Sequence, residues 1–215
     1  MSILNIYVDG GRALVAVDTK AGNEGSSEAT KVAALAHFDA GLAVRGQLMM
    51  LGRCIEAMNQ PLFRDFDDLV DQAPKVIGLV YESLGRILER LKVDMSKFEK
   101  QEVALVGWSE KRQQMVGHLW ARDDMGVGFR QLPVIDEPYK FELGSWLYDE
   151  QGPAEMPAST SAMERVVRQQ VQFAKAKWPD ACPVGGRLMI AELRRNRVAI
   201  SSVCDLESEP ARTGC

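Results

Sequence analysis

Ile3-Leu4-Asn5-Ile6-Tyr7-Val8, then Asp9-Gly10-Gly11, then Arg12-Ala13-Leu14-Val15-Ala16-Val17-Asp18-Thr19-Lys20-Ala21 open the chain. Two β-rich runs separated by strong turn formers predict a hairpin. Its apolar residues fall at consecutive positions, the pattern of strands covered on both faces rather than wetted on one. A Gly/Ser/Glu-rich loop at residues 22–28 leads to a second apolar run at 32–38, a turn at Asp39-Ala40-Gly41 and a further run at 42–44, which predicts a second hairpin.

Beyond Gln47 the period changes. Leu48, Leu51, Cys54, Ile55 and Met58 recur at helical spacing until Pro61, and Val76, Ile77, Val80, Leu84, Ile87, Leu88 and Leu91 repeat the pattern over a longer stretch that starts near the acidic turn at residues 65–71. Two helices are expected there. Strands follow at 102–108, 115–121 and 127–132. Residues 133–159 carry Pro133, Pro138, Pro153 and Pro157 without periodicity and receive no element, a length of loop that is usually functional. Ser159-Thr160-Ser161 offers caps for a third helix ending at Pro179, strands at 187–193 and 198–203 close the fold, and 207–215 reads as a frayed tail.

Helices come in blocks rather than alternating with strands, which disfavours a doubly wound parallel sheet. Two antiparallel sheets stacked face to face and flanked by helices would bury the doubly apolar strands. The expected fold class is therefore α+β, a four-layer αββα sandwich, with residues 1–206 as one domain.

Composition narrows the function. Apolar residues make up 46% and charged residues 26% of the 215, enough to fill a core. A net charge of -4 with two histidines disfavours nucleic acid, whose binders need a clustered cationic surface. No secretory signal opens the chain and no apolar run approaches the roughly 20 residues of a membrane span. Cys54, Cys182, Cys204 and Cys215 form no C-x-x-C pair, so reduced thiols in a cytoplasmic protein are expected. His37 and His118 have no ligand at metal spacing, and no metal or other cofactor is expected. Cys54 on a helical stripe reads as core, and Trp108, Trp120, Trp146 and Trp178 read as packing or interface residues.

One feature of the N-terminus points to chemistry. Removal of Met1 would leave Ser2 with a hydroxyl and a free α-amine titrating near about 7.7 to 8.0, so that one residue holds both nucleophile and base. Val15-Ala16-Val17-Asp18-Thr19-Lys20-Ala21, then Lys31 directly before an apolar strand, and Gly46 before a helix, place further chemical groups at defined intervals from it. In these intervals the first ninety or so residues resemble the β-subunits of proteasomes and the related HslV peptidases, which are N-terminal-nucleophile hydrolases. The loop between Asp18 and Lys31 is shorter than in that family, and Ser2 stands where the family has threonine.

The resemblance implies roles. Ser2 would be the nucleophile, Lys31 would favour its alkoxide, Asp18 would orient and neutralise Lys31, and the Gly46 N–H would face the oxyanion. Ala21 and Gly22 would pair with the substrate backbone, while Val44 and Leu48 would line an apolar pocket. Asp180 would support the α-amine from behind, although Pro183 occupies the place of the serine that the family has after it, and Ser159-Thr160-Ser161 lacks the family's flanking glycines. The implied activity is peptide-bond hydrolysis of unfolded chains within a homo-oligomeric ring, with an ATPase unfoldase as possible partner. A catalytically silent subunit of the same fold and a small-molecule amidase are the alternatives.

Overall fold

The computed structural model describes residues 2–21, 27–94, 100–122, 128–136, 140–142, 155–180 and 182–208. The first hairpin consists of β1 (Leu4–Val8) and β2 (Arg12–Asp18), paired from Leu4 opposite Val17 to Val8 opposite Ala13. Gly10, at φ +81°, makes the turn between them. Two short strands, β3 (Lys20–Ala21) and β4 (Ser27–Glu28), pair with each other. The second hairpin is β5 (Val32–Leu35) and β6 (Ala40–Arg45). Its first strand is shorter than expected, because residues 36–38 wind into a 3-10 turn that ends on Asp39 in the left-handed region.

Helix α1 spans Leu48–Met58 and α2 spans Phe66–Arg90. The second begins at the acidic turn, where its start is expected. The Asp65 carboxylate accepts the Asp68 N–H at 2.8 Å and caps it, with Asp67 and Asp68 in the positive first turn. Pro74 lies inside this helix, but Phe66, Leu69, Ala73, Ile77, Val80, Leu84 and Leu88 form one buried stripe across it. Burying side chains of that size is worth about 1.5 to 3 kcal/mol each, which offsets the ~3 kcal/mol that an interior proline costs.

The chain continues with β7 (Gln101–Ser109), β8 (Gln114–Arg122), β9 (Arg130–Gln131) and β10 (Lys140–Glu142). Helix α3 (Thr160–Lys177) starts where the Ser159 hydroxyl accepts the Ala162 N–H at 3.1 Å. β11 (Arg187–Arg194) and β12 (Arg197–Asp205) follow. One five-stranded sheet has the order β10-β1-β2-β11-β12 and the other β5-β6-β7-β8-β9; every pairing among the described residues is antiparallel.

Side-chain alternation distributes the core. On β1 and β2, Leu4, Ile6, Val8, Ala13, Val15 and Val17 join an apolar cluster with Ala43, Ala104 and Val106 of the second sheet. Tyr7, Leu14 and Ala16 point the other way, into a cluster with Met163, Val167 and Val171 of α3. A third cluster joins Leu42, Val44 and Val103 to α1 and α2. On the α3 side, Asn5 and Gln170, both fully buried, exchange reciprocal hydrogen bonds of 2.8 and 3.0 Å. Neither is left with an unmet polar group, which fixes α3 on β1.

The expectation of a four-layer αββα sandwich of the proteasome-subunit type is corrected by this architecture. Among the described residues the protein is predominantly β, with three helices against three antiparallel sheets. The third sheet is the two-stranded β3–β4 pair, and a single helix, α3, packs on the N-terminal sheet. The physical reason lies in residues 133–159. Where described, they add no helical layer: Ile135 bridges Gly117, and β10 adds an edge strand beside β1, with Ile6 opposite Glu142. The rest of that stretch, with Trp146, lies outside the described residues, as do Met1, Gly22 and the tail from 209 onward.

Candidate functional site

The register of the first hairpin sets up the site. With Leu4 opposite Val17, the next step outward brings Ile3 beside Asp18, and the Ile3 N–H donates to Asp18 Oδ1 at 2.8 Å. Lys31, immediately before β5, sends its Nζ to the same oxygen at 2.9 Å and to the Lys20 carbonyl at 2.6 Å. The Gly185 N–H reaches Asp18 Oδ2 at 3.3 Å. Asp18 thus receives three donors from three separate stretches of chain. It is fully buried, and Lys31 and Ser2 are 5% and 4% exposed.

Burial pushes the Asp18 carboxyl above its ordinary value, against the Lys31 charge and the hydrogen bonds from Lys31, Ile3 and Gly185. Burial likewise pulls Lys31 below the usual lysine range, partly offset by Asp18. A desolvated ammonium with a depressed pKa stabilises a neighbouring developing negative charge more strongly than a hydrated one.

Around this pair the backbone is closely organised. The Thr19 N–H donates to the Arg187 carbonyl at 3.0 Å and the Lys20 N–H to the Gly185 carbonyl at 3.1 Å, which sews the end of β2 to the start of β11. The Thr19 hydroxyl donates to Glu28 Oε2 at 3.1 Å and accepts the Arg187 N–H at 2.7 Å. Gly186, at φ +71°, could not carry a Cβ, which would fall 2.6 Å from Thr19 Oγ1.

Gly46 is placed by the bend between β6 and α1. It has φ +121°, and a Cβ there would lie 2.4 Å from Gln101 Oε1 and 2.6 Å from the Lys100 carbonyl oxygen. Its surface is exposed. Strand backbone groups alternate between edges. Because the Val44 N–H donates to the Lys31 carbonyl at 2.9 Å, the Gly46 N–H, two residues on, is carried to the same edge as Lys31.

Ala21 lies in β3, opposite Ser27 of the chain itself. Val44 is fully buried in the cluster beneath α1, and Leu48, the first residue of α1, is 39% exposed. Asp180 is exposed just after α3. Cys54 is buried, with its thiol pushed up to about 12 by burial, and His118, stacked on Trp120, is lowered to about 4 by burial first and then by Arg112. Among the described residues no group of three or more His, Cys, Asp or Glu is placed to hold a metal ion. No helix among them is long and apolar enough to cross a membrane.

Sequence reasoning missed Gly185 and the Lys20 carbonyl, which share Asp18 and Lys31. The signal available was the Gly185-Gly186 pair directly before a strand, a place where two positive φ angles bend the chain back toward a neighbour.

With this geometry in view, solved structures supply the comparison. The fold is similar to that of Anbu. A mutant of Anbu from Hyphomicrobium sp. strain MC1 superposes with a TM-score of 0.58 at 13% identity, covering 97% of this chain and 90% of that one. Anbu from Yersinia bercovieri, described as an ancestral beta-subunit, gives 0.57 at 11% identity, covering 94% and 86%. No family model and no curated protein matches the chain. The resemblance to proteasome β-subunits and HslV peptidases is therefore corrected: at such identity the neighbours show a related fold alone, and no sequence match carries membership of that family.

Proposed function

We propose that this protein is an N-terminal-nucleophile hydrolase that cleaves peptide bonds through Ser2 once Met1 is removed. The single observation that carries the reading is the buried Lys31–Asp18 pair at 2.9 Å, tied by the Ile3 N–H to the backbone next to Ser2. The overall likeness to Anbu supports it at the level of fold.

In the proposed reaction the Ser2 α-amine takes the hydroxyl proton while Oγ attacks the scissile carbonyl carbon. Lys31 offsets the charge developing on Oγ, and Asp18 fixes the direction of its ammonium. The carbonyl oxygen gains the electron pair and accepts the Gly46 N–H. Collapse of the tetrahedral species breaks the C–N bond, and the α-ammonium returns its proton to the leaving amine, giving a Ser2 ester. Water, deprotonated by the same amine, then releases the acid and restores the hydroxyl. Leu48, half-exposed at the first turn of α1, would favour an apolar residue before the scissile bond.

Assembly as a homo-oligomeric ring fed with unfolded chain by an ATPase belongs to the same proposal; Leu48, Met49, Leu79 and Leu91 at 39%, 45%, 58% and 65% exposure are candidates for contacts between copies. A silent, structural role is the second reading. It is favoured by the exposure of Asp180 and by Pro183 where a serine is expected.

Intact mass after incubation with a β-lactone or epoxyketone probe, beside Ser2→Ala, tests both. Loss of Met1 with one adduct that requires Ser2 supports the hydrolase. A processed protein that never labels supports the silent subunit, and retained Met1 turns the α-amine into an amide and removes the base.

A further inference from the structure

We propose that Gln101 is the positioning residue that aims the Gly46 N–H at the oxyanion, an inference that rests on Ser2 being the nucleophile. Gln101 opens β7 and is 1% exposed, with its backbone fixed in the ladder opposite Arg122. Its side-chain Oε1 accepts the Gln47 N–H at 2.8 Å, across 54 residues of chain. Gln47 is the residue from which α1 starts, and its own side chain makes no capping hydrogen bond. A helix start leaves backbone donors unsatisfied unless something outside the helix accepts them. Gln101 supplies that acceptor from the neighbouring strand.

The consequence falls on Gly46. Its peptide is held between Val44, anchored to the Lys31 carbonyl, and Gln47, anchored to Gln101. The two anchors lie on opposite sides of a residue at φ +121°, a conformation open to glycine, and they select it from the many that glycine can adopt. The Gln101 side chain and the Lys100 carbonyl pack so closely on Gly46 that not even a methyl group fits. With that face of its Cα closed, the Gly46 peptide keeps the orientation that strand alternation after Val44 gives it, its N–H toward the edge that carries Lys31. An oxyanion donor acts by being in place before the charge forms, so loosening it slows acylation without weakening the initial binding of the acyl group.

The test is the saturating acylation rate and the half-saturating concentration of a β-lactone probe, compared between the wild-type protein and Gln101→Met, which matches the length but removes the acceptor. Deleting one oxyanion donor outright slows such reactions by about 100- to 1000-fold, so misdirecting one is expected to slow saturating acylation by roughly 10- to 100-fold, with the half-saturating concentration within about twofold. Amide hydrogen exchange at Gln47 should accelerate in the same variant. If Gln101→Met does not fold, Gln101→Asn, one methylene too short to reach Gln47, takes its place with the same expectation. An unchanged saturating rate, or a loss confined to the half-saturating concentration, overturns the role of Gln101 while leaving Ser2 as nucleophile. A wild-type protein with no Ser2-dependent acylation overturns the hydrolase reading and this inference with it.

Discussion

Replacing Lys31 by methionine perturbs the site at its most costly contact. The side chain stays nearly the same length, but Asp18 loses one of its three donors, the ammonium at 2.9 Å, and the Lys20 carbonyl loses the donor at 2.6 Å. Breaking a buried pair by removing one partner costs about 3 to 5 kcal/mol, because the other charge is left in a poorly polarisable interior. Asp18 keeps the N–H groups of Ile3 and Gly185 at 2.8 and 3.3 Å, so the lower end, about 3 kcal/mol, is expected. Changing Asp18 to asparagine as well removes the stranded charge. Asparagine has one oxygen for two backbone donors, so one N–H faces an amide nitrogen, at about 1 kcal/mol. The double variant should thus be roughly 2 kcal/mol more stable than Lys31→Met alone, while both fail to acylate.

The pH dependence follows from the sign of the shift. Asp18 is already raised above its unfolded value by burial, and loss of Lys31 raises it further. A group that binds its proton more tightly when folded weakens the fold as pH rises from the unfolded value through the folded one. The deficit of Lys31→Met should therefore be largest at neutral pH and shrink on acidification toward the unfolded carboxyl pKa of about 3.9. Urea unfolding followed by circular dichroism at several pH values measures it. A single variant as stable as the wild type, or no gain from the second substitution, would refute the claim that this pair is a desolvated, coupled unit.

Three further outcomes can be stated. Gly46→Ala places a Cβ 2.4 Å from Gln101 Oε1 at φ +121°, so thermal melting should show a loss of about 1 to 3 kcal/mol; an unchanged melting curve would contradict the strained bend. Cys54, with its thiol pushed up to about 12, should remain unmodified by iodoacetamide in the native protein at about pH 8, and react only after unfolding, as read by peptide mass mapping. His118, lowered to about 4 from 6.5, resists protonation when folded. The sign gives a loss of stability as pH falls from the unfolded value through the folded one, up to about 3 kcal/mol, and His118→Phe should abolish that part of the acid sensitivity in urea titrations.

Which parts of the protein were legible in the sequence has a physical pattern. The first hairpin, α1, the β7–β8 pair and α3 are written in local periodicity and turn residues, because each buries a continuous stripe. The start of α2 was marked by the acidic turn at 65–71 rather than by periodicity, because Pro74 separates Phe66 and Leu69 from the stripe that begins at Val76. Asp18 and Lys31 stood out because one ends a strand of the first hairpin and the other directly precedes a strand of the second. Gly185 and Gln101 did not, because their contacts cross 167 and 54 residues and are made by a backbone N–H and by a side chain whose type carries no reactivity. Val44 was assigned to a pocket from its neighbourhood in sequence, whereas strand parity places it with Leu42 and Ala40 on the face covered by the helices.

The remaining step is why a buried lysine–aspartate pair argues for chemistry at all, when the fold likeness at 11% to 13% identity does not. Two charges withdrawn from water cost several kcal/mol each, and apolar residues of the same volume commonly serve stability as well or better. The site here commits three donors to one carboxylate and anchors the ammonium on a carbonyl, with Gly186 leaving no side chain against Thr19 beside it. As scaffolding, that arrangement is an inferior solution to filling the same space with leucine or methionine. As a means of holding a desolvated positive charge on the same carboxylate oxygen that takes the N–H following Ser2, it has no apolar substitute. The two roles separate experimentally, because the Lys31→Met, Asp18→Asn double variant is expected to recover stability without recovering acylation.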